Sequence, residues 1–451
     1  MTIPNIAEWA KRKGIGLVAT GDWTHPLWMR EIERDLEELG NGLLKIKNQI
    51  SNIKNTNKKS KIENTQDPLF LLATEVSCIY SQGGRGRRVH TLIWVPTLES
   101  ARKISQEMTR RGCNLMSDGR PIIGLTSIHV AELVLSIEPK ALIIPAHAWT
   151  PWFSVYGALG GFDSIDEAFG PYSKNIYAVE TGLSSNPLMN WRIAELDNRA
   201  ILSFSDAHSG PKLGREATVF EVEDNKTKDG KTIRQTISYD VVYDAIKNLT
   251  SDHNKPRIAY TIEFYPEEGK YHYTGHRACN IRQTPEETKE KGKTCPVCGK
   301  PLTVGVMHRV EDLAGRTDYE LKLTHVPLEG LAMEGIGSKA FPNRPPFVMM
   351  VPLQEIISEA IGSPVQSPKV QTPYFRLTDA LSGEFNILLS ATAEEIAKVA
   401  GERVAVGIEK VRNGDIVIDP GFDGVFGVVK IWKEGEEKPL VDSSKEQLSI
   451  F

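Results

Sequence analysis

The sequence predicts an α/β protein with a β/α first half, a metal-binding module after it and a mixed α+β C-terminal region. Three observations predict it. Short apolar runs alternate with helical stretches up to about residue 224, acidic and imidazole side chains recur at the ends of those runs, and three of the five cysteines share one short stretch.

The apolar runs at 15–19, 70–76, 89–95, 141–145, 176–179, 200–204 and 218–222 read as strands. Helical patterns fill the intervals at 26–39, 98–111, 129–137 and 187–196. Asn186 before Pro187 is a cap followed by a first-turn proline. Residues 41–66 are rich in Lys and Asn and read as a surface insertion. A polar turn at 224–230 and a helix at 240–249 close a first domain spanning 1–257. A cysteine-bearing module occupies 258–327, and a helical and hairpin region occupies 328–451. In that last part a helix is expected at 353–361. A longer one starts from a Thr392 cap with Glu395 and stops at Asn413-Gly414, and a hairpin turns at Asp423-Gly424. The segment from Gly335 through Gly337 to Ala340 resembles a helix-hairpin-helix turn, although Pro342 and Pro345 interrupt a continuous helix.

At 451 residues and 40% hydrophobic content the chain has the bulk for two or three cores. A net charge of -4 excludes a protein that coats nucleic acid by charge alone, so any such contact needs local basic patches. No apolar run reaches membrane-spanning length and the start carries no secretory pattern, which points to the cytoplasm and away from disulfides.

Metal-capable side chains fall where the strands end. Asp22 and His25 follow the first run, Glu75 closes the second and His90 opens the third. His147 and Glu180 end the next two, and Asp206 and His208 follow the sixth. In a parallel barrel, strand ends open onto one face, so these residues converge there. Mixed carboxylates and imidazoles suit borderline divalent metals such as Zn, Mn or Fe, which clamp a phosphodiester for in-line attack. A lone Asp after a strand is more often a helix cap, but the recurrence at five strand ends argues for a site.

His276-X2-Cys279, fifteen residues, then Cys295-Pro-Val-Cys298-Gly299 makes two close pairs joined by a loop, the spacing of a tetrahedral structural zinc site, with His272 a rival fourth ligand. From Lys270 to Arg309 there are eight Lys or Arg against three Glu, a basic patch suited to phosphate contact. Two other features suit DNA. Arg85, Arg87 and Arg88 lie in a glycine-rich loop between Glu75 and His90, and Trp149, Trp152, Phe153 and Tyr156 follow His147 directly. Such arginines hold phosphates and such rings wall a base pocket, whereas exposure on a mobile loop and core packing are the plainer readings. Arg277, inside the cysteine module, joins this set of candidate DNA contacts.

Asp206-X-His208, Glu75 and the Pro-Ala-His147 segment resemble the polymerase-and-histidinol-phosphatase (PHP) superfamily. The resemblance implies a distorted β/α barrel with a three-metal site holding Zn, Mn or Mg. It implies that Glu75 bridges two metals, that His90 and His147 share one, and that Asp206 and His208 serve different ones. Glu75, Asp206 and His208 are then the catalytic residues. Asp22 or His25 stands where the superfamily has a histidine after Asp, a position filled here by Trp23. The superfamily opens with a His-X-His pair that is not found here, so the barrel is expected to be N-terminally incomplete.

Gly275-His276-Arg277-Ala278-Cys279, Cys295-Pro-Val-Cys298-Gly299, the 307–313 stretch Met-His-Arg-Val-Glu-Asp-Leu, the 344–348 stretch Arg-Pro-Pro-Phe-Val, the 351–357 stretch Val-Pro-Leu-Gln-Glu-Ile-Ile and the 419–424 stretch Asp-Pro-Gly-Phe-Asp-Gly are similar to the endonuclease Q family. That family nicks DNA on the 5′ side of deaminated bases (uracil, hypoxanthine, xanthine) and abasic sites. The resemblance implies double- or single-stranded DNA as substrate, replication or repair proteins as partners, and no membrane. The competing readings are a phosphatase of a small phosphomonoester and a non-catalytic DNA-binding protein with a defective metal site.

Overall fold

The computed structural model describes residues 1–47, 67–117, 119–222, 224–226, 232–234 and 237–436. Most of the expected Lys/Asn-rich insertion, part of the polar turn and the last fifteen residues lie outside them.

The fold is mixed α/β. Strands β1 (Leu17–Ala19), β2 (Leu36–Glu38), β3 (Leu44–Ile46), β4 (Leu69–Gln82), β5 (Arg85–Val95), β6 (Ile122–Ile123) and β7 (Leu142–Pro145) form one sheet in the order β2-β3-β4-β5-β7, with β1 and β6 also paired to β4. β8 (Ala178–Glu180) and β9 (Ala200–Leu202) form a parallel pair beside it, joined to the β7 end by Ala148 N–H donating to Glu180 O at 2.9 Å.

The sheet corrects the parallel arrangement expected from the strand ends. β4 and β5 are one long antiparallel hairpin, in register from Leu72↔Val95 to Gln82↔Arg85. Gly83 and Gly84 turn it with φ of 60° and 74°, the backbone of a two-residue hairpin loop whose twist matches the strands. Glu75 and His90 therefore lie within strands, not at their ends.

β4 is buried on both faces. Phe70, Leu72, Val76 and Cys78 enter the main core with the helices Ile3–Lys13, Leu98–Arg110 and Ser127–Ile137, while Leu71 and Ala73 face a second core with Trp94, Leu142, Ile144, Ala200 and Leu202. With a side-chain period of two, Glu75 points to the Leu71 and Ala73 face.

β10 (Ala217–Glu221), β13 (Arg257–Phe264), β16 (Leu323–Pro327), β17 (Glu334–Ser338) and β18 (Phe347–Met350) make a second sheet in the order β10-β13-β18-β17-β16. β11 (Asp224–Lys226) and β12 (Thr232–Arg234) pair between them. The sheet runs across positions 257/258 and 327/328, taken above as boundaries, so both fall inside one hydrogen-bonded unit. It also removes the helix-hairpin-helix reading, because Gly335 and Gly337 sit in β17, where Val326 and Pro346 press against them.

The cysteine module hangs from this sheet as β14 (Thr274–His276), β15 (Ile281–Gln283) and the helices Pro285–Lys291 and Val306–Leu313. The C-terminal helices pack around Ile356, Tyr374, Ile387 and Ile408. The expected Leu353–Ile361 helix and the Thr392–Glu395 capping box are present, but the helix expected from Thr392 to Asn413 is two, broken at Gly401 with φ 88°. β19 (Val417–Asp419) and β20 (Val428–Lys430) form the hairpin, turned by Asp423 and Gly424, both at positive φ.

The N-terminal helix Ile3–Lys13 ties the first core to these C-terminal helices. Lys13 Nζ reaches Glu384 Oε2 at 2.5 Å with both side chains buried, and Glu384 also accepts Tyr374 OH at 2.8 Å and Leu353 N–H at 3.1 Å. Arg12 donates to Thr378 and Asp379 at 2.6 and 2.7 Å. Removing the ammonium leaves a buried carboxylate without its counter-charge, so Lys13→Met should cost about 3–5 kcal/mol in urea denaturation. Adding Glu384→Gln to Lys13→Met should recover part of that loss.

Candidate functional site

The hairpin register places Glu75 opposite Leu92 and Ser77 opposite His90, so Glu75 and His90 are diagonal neighbours on one face. His147 arrives from the end of β7. Glu75 Oε1 lies 2.9 Å from His90 Nδ1 and 3.4 Å from His147 Nε2, and the two ring nitrogens are 3.0 Å apart. Their ligand atoms all fit within 4.8 Å of one another. Each ring is held from behind. His147 Nδ1 is 3.0 Å from Thr150 Oγ1, and the Phe153 ring lies 4.9 Å from the His90 ring.

The electrostatics follow from that crowding. Burial raises the Glu75 pKa, but His147, His90 and Arg120 outweigh it and hold the carboxyl far below its usual range. Burial lowers His90, whereas at His147 the same burial effect is overcome by Glu75, Glu180 and Asp206, which raise it. Glu180, at the end of β8, accepts the His147 backbone N–H at 2.8 Å, and burial pushes its pKa up to about 8.

A cleft of about 1360 Å³ opens over this group. Its floor is apolar, with Leu71, Ala73, Trp94 and Phe204, and its wall carries Asp22, His25, Glu75, His147, Glu180, Asp206 and His208. All the predicted ligands but the buried His90 thus line one cleft, while only Glu75, His90 and His147 form a cluster among the described residues. Asp206 and His208 sit exposed at the mouth, with His208 Nδ1 2.9 Å from Asp206 O. Asp22, His147 and Asp206 all adopt positive φ, at 44°, 28° and 42°, a strained backbone that collects at functional sites. Trp23, beside Asp22, is buried in the main core.

Among the residues singled out for DNA contact, two are corrected. Trp149 is 0% exposed, stacked on Tyr156 at 4.6 Å with Nε1 donating to Asn190 Oδ1 at 2.8 Å, so its faces are used by the core. Arg87 is buried by the segment that follows His147, its guanidinium 4.0 Å over Phe162 and 2.7 Å from Glu167. Arg85 and Arg88 are exposed at the hairpin tip, Trp152 is half-buried against Tyr271, and Arg277 is exposed.

The second candidate group is His276, Cys279, Cys295 and Cys298, whose ligand atoms also lie within 4.8 Å of one another. Cys298 Sγ is 3.4 Å from His276 Nδ1. Gly299, at φ 72°, turns the chain so that its N–H reaches Cys295 O at 2.9 Å. Burial opposes ionisation of Cys295, but the N–H groups of Cys298 and Val297 bring its thiol down to about 6. The rival ligand His272 is buried apart from the group, lowered to about 4 by burial.

Residues 352–415 match the family described as the MJ0043 C-terminal domain. The chain is 32% identical over 291 residues to the uncharacterized protein MJ0043 of Methanocaldococcus jannaschii, covering 63% of this chain but only 31% of that one. It is 29% identical over 367 residues to the uncharacterized protein YqxK of Bacillus subtilis, covering 80% and 78%. Its structure superposes on the crystal structure of the lesion-specific endonuclease PfuEndoQ from Pyrococcus furiosus with TM-score 0.73 and 29% identity, over 95% of this chain and 90% of that one. On a crystal structure of endonuclease Q complexed with a 27-mer duplex substrate bearing an abasic lesion at the active site it scores 0.73 at 30% identity, over 96% and 92%. The chain belongs to the endonuclease Q-like family.

Three features of this endonuclease Q-like cleft escape sequence reading. Arg120 Nη1 lies 3.2 and 3.3 Å from the two Glu75 oxygens, brought there by the pairing of β6 with β4, which leaves no local trace. Gly182 has φ 56°, and a Cβ there would lie 2.3 Å from His147 Cβ and 2.5 Å from its Cα. Its signal was its place two residues after Glu180. Behind Glu180, Glu216 and Glu263 are fully buried near each other. Glu216 accepts from Thr181 and Leu183, and Glu263 Oε1 from Ser203 and Thr261, while Glu263 Oε2 has no partner. Burial raises both carboxyls, Glu263 to about 7.

The donor chemistry of both groups suits metal ions: two imidazoles with a carboxylate, and three thiols with an imidazole. With Mn as the probe cation, Gly182→Ala should push His147 off its position and weaken any binding at the Glu75, His90 and His147 group about tenfold in calorimetry, with the circular dichroism unchanged. Glu263 keeps in the folded chain a proton that the unfolded chain releases near 4.5, so its contribution is present below that pH and lost as pH rises through about 7. Glu263→Gln removes this titration. Its stability relative to the parent chain should therefore rise between pH 5 and pH 8, by roughly 1–3 kcal/mol in urea denaturation.

Proposed function

We propose that this chain is a DNA repair endonuclease of PHP type, hydrolysing the phosphodiester 5′ of a deaminated base (uracil, hypoxanthine or xanthine) or an abasic site. The observation that carries the reading is the likeness over nearly the whole chain to endonuclease Q on an abasic duplex, combined with the Glu75, His90 and His147 group in an open cleft.

In this reading Glu75, His90 and His147 hold a divalent cation (Zn, Mn or Mg), with Asp22, His25, Glu180, Asp206 and His208 as further ligands along the same wall. When bound, such cations polarise a phosphodiester and make water a usable nucleophile at neutral pH. The chain's own share is to position these groups. Glu180 fixes the His147 backbone, and Asp206 O, 2.9 Å from His208 Nδ1, orients the His208 imidazole. Glu75, Asp206 and His208 are the residues assigned to catalysis.

His276, Cys279, Cys295 and Cys298 hold a structural zinc that stiffens the 258–327 module, and Arg277 projects from it toward a phosphate backbone. Arg85 and Arg88 do the same from the hairpin tip, with Trp152 between the two elements. An aromatic face suits a base taken out of the stack, and a deaminated or missing base costs least to expose. Phosphate contacts of this kind make binding fall steeply with salt. No helix among the described residues is long and apolar enough to cross a membrane.

The test is a 5′-labelled duplex carrying one deoxyuridine, deoxyinosine or abasic site, with Mg or Mn. The expected result is a single nick on the 5′ side of the lesion, and Glu75→Gln should slow it at least about 100-fold. Binding of the duplex without any nick, or release of phosphate from a simple monoester instead, would reject the assignment.

A further inference from the structure

Arg120 stands at the centre of the acidic wall, and its surroundings set a limited range of roles. Its backbone is anchored, because Ser77 N–H donates to Pro121 O at 3.0 Å and Ile122 and Ile123 pair with Ser77 and Cys78. Gly119 before it passes close to Asp22, since a Cβ there would sit 2.5 Å from Asp22 Oδ2. The Arg120 main chain is thus fixed beside the cleft, while its side chain extends to Glu75.

That side chain is loosely held. Its contacts to Glu75, at 3.2 and 3.3 Å, are long for a charge-assisted bond, which prefers about 2.7–2.9 Å, and the side chain is 35% exposed to the cleft. Glu75 Oε1 meanwhile already meets both His90 and His147. A cation held by those three groups would put a second positive charge beside Glu75, and like charge would loosen the hold of Arg120 there. The cleft that Arg120 lines is open to it, and there Asp22, Glu180 and Asp206 would otherwise repel a phosphate.

We propose that Arg120 is a phosphate-binding residue with two positions. It neutralises Glu75 while that carboxylate is without a metal, and it turns into the cleft to hold a non-bridging oxygen of the scissile phosphodiester once a divalent cation is in place. The planar fork of guanidinium suits two phosphate oxygens, which a lysine cannot match. The inference rests on the phosphodiesterase reading, and names the residue that grips the substrate there.

The experiment compares the parent chain with Arg120→Ala and Arg120→Lys, first for Mn affinity by calorimetry without DNA, then for binding of an abasic duplex across a salt series. Arg120→Ala should bind Mn as tightly as the parent or up to about tenfold more tightly, because the competing cation is gone. It should bind the duplex about tenfold more weakly, with the slope of log affinity against log salt reduced by about 1. Arg120→Lys should restore part of the slope and little of the nicking rate. Weaker Mn binding in Arg120→Ala would mean that Arg120 merely positions Glu75, and an unchanged salt slope would mean that it touches no phosphate; either overturns the proposal. If the parent chain itself neither binds nor nicks lesion duplexes, the phosphodiesterase reading fails instead, a result distinct from both.

Discussion

The pairing of β4 with β5 is the constraint on which the rest of the cleft depends. Its register puts Glu75 and His90 on one face, and the period of two then assigns Leu71, Ala73 and Trp94 to the floor beneath them. A slip of one residue would turn Glu75 toward Phe70 and Leu72 and bury an unpaired carboxylate in the main core. The two-glycine turn guards against that slip, since both positions need a left-handed backbone. Glu180 and Gly182 then seat His147 against the pair from the other side.

The short motifs that carry the family resemblance serve mostly to lock segments together. Arg309 donates to Tyr156 O, Phe162 O and Asp163, so the Val306–Leu313 helix clamps the loop that follows His147. Arg344 and Arg316 both meet Asp197 and flank the Phe341 ring at 5.2 and 4.5 Å. Asp423 accepts from Arg277 N–H and Thr303 Oγ1, fastening the last hairpin to the cysteine module. These contacts fix the cysteine module and the last hairpin relative to the cleft.

Much of this was legible in the sequence where the signal is local. The cysteine spacing marked a group that does converge, the Thr392–Glu395 box and the Asp423-Gly424 turn formed as their chemistry dictates, and most apolar runs became strands. What stayed hidden depends on pairing between distant segments. Strand direction is not written in an apolar run, so an antiparallel hairpin was read as two parallel strands. Arg85, Arg87 and Arg88 look alike in sequence, yet Phe162 and Glu167 cover Arg87 while Arg85 and Arg88 stay exposed. Trp149 followed a ligand in sequence and still turned inward, because a ring that large is best used in the core. Arg120 had no signal at all, since only the β6–β4 contact brings it to Glu75.

The second sheet has a consequence for the order in which the protein is made. β13 lies between β10, its antiparallel neighbour, and β18, which joins it in parallel through Thr261↔Phe347. While the ribosome is still translating the cysteine module, one flank of β13 stays bare, and Glu263 on that strand lacks its finished surroundings. The wall behind Glu180 therefore sets only after the downstream strand has emerged. A half-made polypeptide therefore holds an unfinished cleft, completed only once the segment beyond the cysteine module is in place.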